Sequence, residues 1–575
     1  MNSINKLLYF LSLAVFLFAS CELEVDDREK ETEEIFLRAD ANIDKLWVHL
    51  YSSITFNGGW MDCATDNADY NPPGGLQTIN EGTWNQFNNE LDGNGNDWKR
   101  MYGLLRDAAY FLRITDTAVT PRLTYEEYNV PSDRGMMTDY MQKRFNLRAY
   151  RNDAKFFQAY LTFELWKQYG KIPIVDKEYS PEEAFDLQQS GTAEVMDYIT
   201  VKLDEVLSEL DSLQNFDGKG YYNSPYKNNV WEDRYYGRIN KGIVLALKTR
   251  AYLYAASPLN APNPSANGYD QSYCDKAANA AVELMALGIY DSNSGYRDIQ
   301  FNYTREDILS RSYSGNSYEL SNYPRIDNVL LYNSAEVCKN AFCPSQNLVD
   351  CYSETPIDFS QENPFANIQD KRFYQTVIYN NQKFNDDTIR IYKGGTAEKG
   401  TPNATTTGYY LRKGVKEGLN LFANQTALHI NYIFRYGEVL LNYAEASYNG
   451  SQNGGAYQGT TLTALDAINL LRSRPVAASG QAVNTPLTEL SNERIRNERR
   501  IELAFEGHYF WDVRRWKIGD TQNDDLVGID IEKSGDGFIY TRTEVESRKF
   551  IEPMYHYPIP YIDMRLYPSW DFLGW

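Results

Sequence analysis

The sequence has few histidines, few cysteines, no block of basic residues and, after its first twenty residues, no long apolar run. Four histidines in 575 residues (His49, His429, His508 and His556) stand far apart, and no two have the spacing of a histidine-based zinc site. Six cysteines are far too few for a disulfide scaffold. Setting Cys21 aside leaves Cys63, Cys274, Cys338, Cys343 and Cys351, an odd number that cannot all pair. Cys338 and Cys343 are spaced for a small loop staple, but most of the five are expected to be buried thiols that pack as small hydrophobes. Lys+Arg 57 against Asp+Glu 78 gives −21, and an acidic chain without a basic stripe is a poor nucleic-acid ligand. No run after residue 20 approaches the ~18 apolar residues that span a bilayer. Gly-x-Ser-x-Gly, His-Glu-x-x-His and a phosphate loop after a strand are all missing. Lys393-Gly394-Gly395-Thr396 has a turn's composition without the spacing of a nucleotide loop.

What is abundant is aromatic. Forty-six tyrosines and 10 tryptophans, within 42% hydrophobic residues, supply a core and rule out disorder as the main state. The length allows three or four domains or one large mixed unit. Residues 1–20 read as a secretory signal, with Lys6 ahead of an apolar run that ends in small residues. Cys21, directly after Ala19-Ser20, resembles the lipid-bearing cysteine of a bacterial lipobox; the alternative is ordinary cleavage beside an unmodified cysteine. Glu22 to Glu34 is strongly acidic and cannot bury itself, so residues 21–40 read as a lipidated cysteine and a solvated tether. Cleavage removes only Lys6, which leaves 56 basic against 78 acidic residues, or −22. On this reading acyl chains, and not a polybasic patch, hold the chain at a membrane.

Several segments of the remainder, 41–575, have helical periodicity and clear stops. Phe145 to Tyr169 ends at Gly170 with Pro173 beyond, and Val195 to Leu210 follows a cap at Thr192. Lys241–Ala256 pairs with Tyr273–Leu287, and Tyr432–Tyr448 with Leu462–Ser473, as helical hairpins near the length of tetratricopeptide repeats. Ser491–Phe505 is a further helix. Roughly 290–430 is rich in Tyr, Asn, Ser and Gly, with short alternating runs such as 374–379 and 388–392, and reads as long loops with small strands. Loops on a helical scaffold are where binding usually resides.

The run Asn497-Glu498-Arg499-Arg500-Ile501-Glu502-Leu503-Ala504-Phe505-Glu506-Gly507-His508-Tyr509-Phe510-Trp511-Asp512 and onward to Trp516 resembles the C-terminal signature of the SusD/RagB family. Arg148 to Pro173, Ala246 to Tyr254, Arg435 to Ala446, Ala467 to Arg474 and Tyr557-Pro558-Ile559-Pro560 agree with it in order. These are surface lipoproteins of Bacteroidetes nutrient-uptake systems. The resemblance implies a mostly α fold of tetratricopeptide-type helical pairs with a loop-rich remainder and short strands. It implies an outer-membrane lipoprotein, facing the cell exterior, that captures oligosaccharides and delivers them to a SusC-like TonB-dependent transporter. Some members bind peptides instead, and that is the second reading. A surface glycoside hydrolase is a third, disfavoured because no acid/base pair is credible.

Glu498, Glu502 and Glu506 share one helical face and invite the hydrolase reading. Stacked carboxylates repel unless partnered, however, and Arg494, Arg499, Arg514 and Arg515 are at hand for ion pairs. Sugar binding needs aromatic faces for ring stacking and Asp, Asn or Arg for hydroxyls. Trp60, Asp66, Asn67, Tyr70 and Trp84 supply both in one N-terminal stretch, where Ala64-Thr65-Asp66-Asn67-Ala68 resembles the family's Ala-Thr-Asp-Glu-Ala with Asn67 in place of the glutamate. For Trp60 and Trp84 the competing role is core packing. Arg372, Tyr392, Tyr303 and Tyr323 are further candidates in the loop-rich region. Asp92, Asn94 and Asn96 have the start of a calcium loop, but Asp97 and Gly103 stand where its glycine and glutamate belong, so a solvated turn is expected. No cofactor, metal site or catalytic residue is expected.

Overall fold

Helices bounded by side-chain caps and left-handed glycines outweigh the short strand pairs of the structure. The computed structural model describes residues 40–575 apart from 57, 72, 88–90, 92–97, 117–133, 218–225, 228–229, 232–236, 316–321, 323–340, 421–422 and 476–483. Cys21, the leader, the tether to residue 39, the 92–97 loop, Tyr323 and Cys338 therefore lie outside the described residues.

The principal helices are α1 Asp40–Leu50, α2 Trp98–Ile114, α3 Arg134–Tyr169, α4 Thr192–Asp217 and α5 Lys241–Ala256. They continue with α6 Gln271–Ala286, α7 Tyr436–Asn449, α8 Ala464–Arg472, α9 Asn492–Glu502 and α10 Tyr509–Arg515. From α2 to α8 each helix packs on the next in sequence, the layout of tetratricopeptide-type pairs, and the fold is mostly α. Caps set the starts. Asn240 accepts from Ile243 N at α5, Asp270 from Ser272 N and Tyr273 N at α6, and Thr463 closes a capping box with Asp466 at α8. In α5 only Lys241 and Lys248 escape burial, as an Ala/Leu/Tyr-rich helix enclosed by α3, α4, α6 and α7 should. Gly170 ends α3 at φ +72°, where a Cβ would stand 2.6 Å from His556, so only glycine fits.

Six strands matter: β1 Ala68–Tyr70, β2 Asp307–Gly315, β3 Phe342–Pro344, β4 Ala427–Arg435, β5 Leu526–Ser534 and β6 Gly537–Glu546. They pair antiparallel as β1–β3, β2–β4 and β5–β6. The helix expected to start at Tyr432 begins instead at Tyr436, and the preceding residues belong to β4. Ile430, Tyr432, Ile433 and Phe434 are all buried, and a run apolar on every side suits a buried strand as well as a helix. Pairing with β2, which lies more than a hundred residues earlier in the chain, selects the strand. In the loop-rich part the strands are smaller than the alternation predicts. Phe373–Thr376 is a helical turn before the two-residue strand Val377–Ile378, and of the 388–392 run only Thr388 joins a strand, Asp387–Thr388. One hydrophobic cluster runs from Ile43 to Trp570 and joins both parts.

Candidate functional site

The signature segment of α9 and α10 is a buried ionic framework. Glu498, Glu502 and Glu506 are joined there by Asp370 and Glu306. Five cations answer these five carboxylates: Arg372, Lys413, Arg435, Arg472 and Arg474. Arg372 donates to Glu502 at 2.9 Å and Glu498 at 2.8 Å, Arg474 to Glu502 at 2.8 Å, and Lys413 to Glu506 at 2.7 Å. Arg435 donates to Glu506 at 2.7 Å and to Glu306 at 2.7 Å. These partners come from four different segments, and they replace the expected ones. Arg499 and Arg515 pair instead with Asp512, and Arg515 also with Glu445. Arg494 lies 3.8 Å from Glu354 at the surface. Buried Arg514 lies 3.4 Å from the centre of the Phe510 ring, and its burial lowers its pKa to about 9. Burial by itself would raise the Glu502 carboxyl, but Arg474, Arg435 and Arg372 hold it well below the usual range. A carboxylate locked in its ionised form cannot serve as a general acid near neutral pH.

The N-terminal stretch is tied to this framework. Asp66 Oδ2 accepts from Arg500 at 2.9 Å and its Oδ1 from Gln522 at 3.0 Å. Asn67 receives Arg500 Nε at 2.7 Å and donates to Asp62 at 2.8 Å. Asp62 also accepts from the backbone N–H of Phe505 and Gly507, both at 3.2 Å, and so pins the turn that leaves α9. Phe505 stands in that turn at φ +61°, a strained value for a non-glycine residue. Burial raises the Asp62 carboxyl to about 6 despite these donors. Asp66 and Asn67 thus act as a clamp on α9. Trp84 is 1% exposed and packs edge-on against Tyr557 and Trp575, so neither ring face is open. Trp60 is half-buried against the core, and Tyr70 is half-buried on β1 with its ring 5.9 Å from Phe342. Arg372 is fully buried inside the ionic framework. Tyr303 is exposed and donates to Ser312. The structure therefore does not bring the five N-terminal candidates together with Arg372 and Tyr392 in one opening.

A roomy opening lies in the loop-rich part. Residues 353–369, the turn at Tyr379–Asn381 and the tip of the β5–β6 hairpin enclose a cavity of about 590 Å³, within the range of ligand sites. Tyr379, Phe538 and Tyr540 form its aromatic side. Phe373 stacks on Tyr379 at 5.6 Å, and Phe365 meets Tyr540 edge-on at 5.6 Å, which fixes those rings from behind. Tyr392 supports Phe538 from 5.1 Å. Amides of Gln361, Asn363, Asn367 and Asn381 occupy the exposed rim. Asn381 holds its turn at φ +66°, a left-handed value that asparagine tolerates. Rings beside amides are the two components that sugar binding asks for. None of the described sequence candidates lines this cleft; Tyr392 reaches it only by packing on Phe538. Phe538 and Tyr540 are absent from the sequence reading, although Gly535-Asp536-Gly537 between alternating residues is a legible hairpin turn.

Among the described residues no group of three His, Cys, Asp or Glu side chains is placed to hold a metal ion, and no helix is long and apolar enough to cross a membrane. Residues 299–569 match the family model described as the SusD family. No curated protein matches the chain significantly. Among solved structures the chain is similar to a SusD-like protein from Bacteroides fragilis, with TM-score 0.70, 21% identity, and coverage of 96% of this chain and 99% of that one. It is also similar to a SusD-like carbohydrate binding protein from Bacteroides fragilis, with TM-score 0.68, 19% identity, and coverage of 93% and 100%. A laminarin binding SusD-like protein follows at TM-score 0.55 and 17% identity, with coverage of 92% and 97%. At these identities the likeness to solved structures speaks for the fold.

Proposed function

The chain belongs to the SusD family, and from that premise we propose that it is a cell-surface lipoprotein that captures oligosaccharides and delivers them to a SusC-like TonB-dependent transporter. The observation that carries the binding half is the cleft in which Tyr379, Phe538 and Tyr540 face a rim of amides. Flat rings against the apolar faces of a sugar, with amides at hydroxyl distance, give orientation without chemistry. The carbohydrate-binding and laminarin-binding proteins named among its structural relatives support the same ligand class. Binding without turnover is favoured because the one carboxylate series that suggests hydrolysis, Glu498, Glu502 and Glu506, is committed to arginine and lysine partners. A binder without a catalytic group needs a transporter to move its ligand inward, and Cys21 would supply the anchor that keeps the two together.

The test is glycan binding by the purified protein and by Phe538→Ala. Phe538 is half-buried on a hairpin tip, so its truncation leaves the fold in place. The expected loss of affinity is about 1–3 kcal/mol, the scale of one aromatic anchor. Unchanged affinity in this variant and in Tyr379→Ala would remove the cleft as the sugar site.

A further inference from the structure

Beside the cleft lies a second cavity of about 350 Å³, and the two share Ser353 and Gln369. These residues form the ridge between them. Gln369 Oε1 accepts from Ser353 Oγ at 2.9 Å and from Glu354 N at 3.1 Å. The second cavity is lined differently. Tyr352 and Ile501 are buried at its base, and Glu493, Arg494 and Asn497 reach it from α9. It offers polar groups and no open ring, so it suits a continuing chain better than a second stacked anchor. Either cavity alone would hold a single small ligand; two cavities across one shared ridge suit an extended one.

The charges around the opening narrow the ligand class. The exposed acidic residues among the lining are Glu354, Asp358, Glu362, Glu493 and Asp536. The exposed cation among the described lining residues is Arg494, 3.8 Å from Glu354. Arg472 also lines the second cavity, but it is buried and committed to Glu498 and Asp370. A sulfate or uronate held 4 Å from one such carboxylate is disfavoured about fivefold at the dielectric of water, and salt screens that penalty.

We propose that the two cavities act as one trough and that its ligand is an uncharged oligosaccharide long enough to cross the Ser353–Gln369 ridge. One ring stacks in the aromatic cavity and the chain continues over the ridge into the polar one. This rests on the glycan reading of the cleft.

The experiment is calorimetric titration of the purified protein with laminarin, mannan and xylan oligosaccharides of increasing length, each also in chemically sulfated form. Affinity for the neutral ligand is expected to rise with length by about tenfold or more and then level off, the scale of one further seated segment. The sulfated form is expected to bind at least about fivefold more weakly at low salt, with the gap narrowing as salt is added. Gln369→Trp raises the ridge at an exposed position, and it should abolish the gain with length. Affinity independent of length, a length gain that survives Gln369→Trp, or sulfated chains that bind as well as neutral ones would overturn this inference while leaving glycan binding intact. Failure of every chain, short or long, neutral or sulfated, overturns the glycan reading and the trough together.

Discussion

Replacing Glu502 by glutamine changes one atom type at the centre of the ionic framework and leaves the volume alone. In the native protein Oε1 accepts from Arg474 at 2.8 Å and Arg435 at 3.1 Å, and Oε2 from Arg372 at 2.9 Å, with the side chain fully buried. Glu502→Gln leaves five cations against four carboxylates and turns an amide donor toward guanidinium donors. Removing one partner of a buried ionic group costs about 3–5 kcal/mol. At an m-value near 3 kcal/mol/M this lowers a urea midpoint by about 1 M or more. Tryptophan fluorescence during urea unfolding reads the shift, with Glu493→Gln as the exposed control on the same helix, expected within about 0.5 kcal/mol of wild type. Charge balance gives a second arm. Glu502→Gln combined with Arg474→Met removes one charge of each sign, and the pair should cost clearly less than the sum of the two single changes. Glu306, which also pairs with Arg474, keeps Arg435 in the double variant. A midpoint for Glu502→Gln equal to that of Glu493→Gln, or strict additivity in the double variant, would refute the framework as the source of stability.

Acid should act on the neighbouring buried pair of Arg515 and Glu445. Burial opposes ionisation of Glu445, but Arg515 overrides it and holds the carboxyl at about 2 against an ordinary 4.5, so its stabilisation is complete above pH 4.5 and is lost as pH falls toward 2. Urea midpoints measured across that interval should decline with falling pH, and flat midpoints would contradict the assignment. Trp84→Ala should lower stability by about 3–5 kcal/mol as a core truncation, while glycan affinity of the folded fraction stays unchanged; binding lost at constant stability would instead make Trp84 a contact. Cys21→Ala should move the protein from the membrane fraction to the soluble one, and wild type extracted in mild detergent should bring a TonB-dependent transporter with it. Retention of the variant in membranes, or wild type that repeatedly emerges alone while a control pair survives, would count against the anchor and the transporter partnership respectively.

Local physics made much of the scaffold legible in sequence. Asn240, Asp270 and Thr463 are side chains that cap helices by their own chemistry, and Gly170 followed by Pro173 stops one, so α5, α6, α8 and the end of α3 fall within a few residues of their expected positions. The family resemblance was also readable there, because the α9–α10 run is contiguous. Three things needed the tertiary structure. The first was β4, whose apolar run suits helix and strand equally until β2 pairs with it. The second was the set of partners of Glu498, Glu502 and Glu506: Arg372, Lys413, Arg435 and Arg474 lie up to 130 residues away, whereas the arginines next in sequence serve other carboxylates. The third was the character of each aromatic. Trp84 and Phe538 are both aromatic, yet the first is enclosed by Tyr557 and Trp575 while the second stands at a hairpin tip beside an open cavity. Capping and periodicity are set by neighbours within four residues. Burial and charge partnership are set by whatever the folded chain brings alongside, and in a protein with 46 tyrosines composition cannot say which ring remains open.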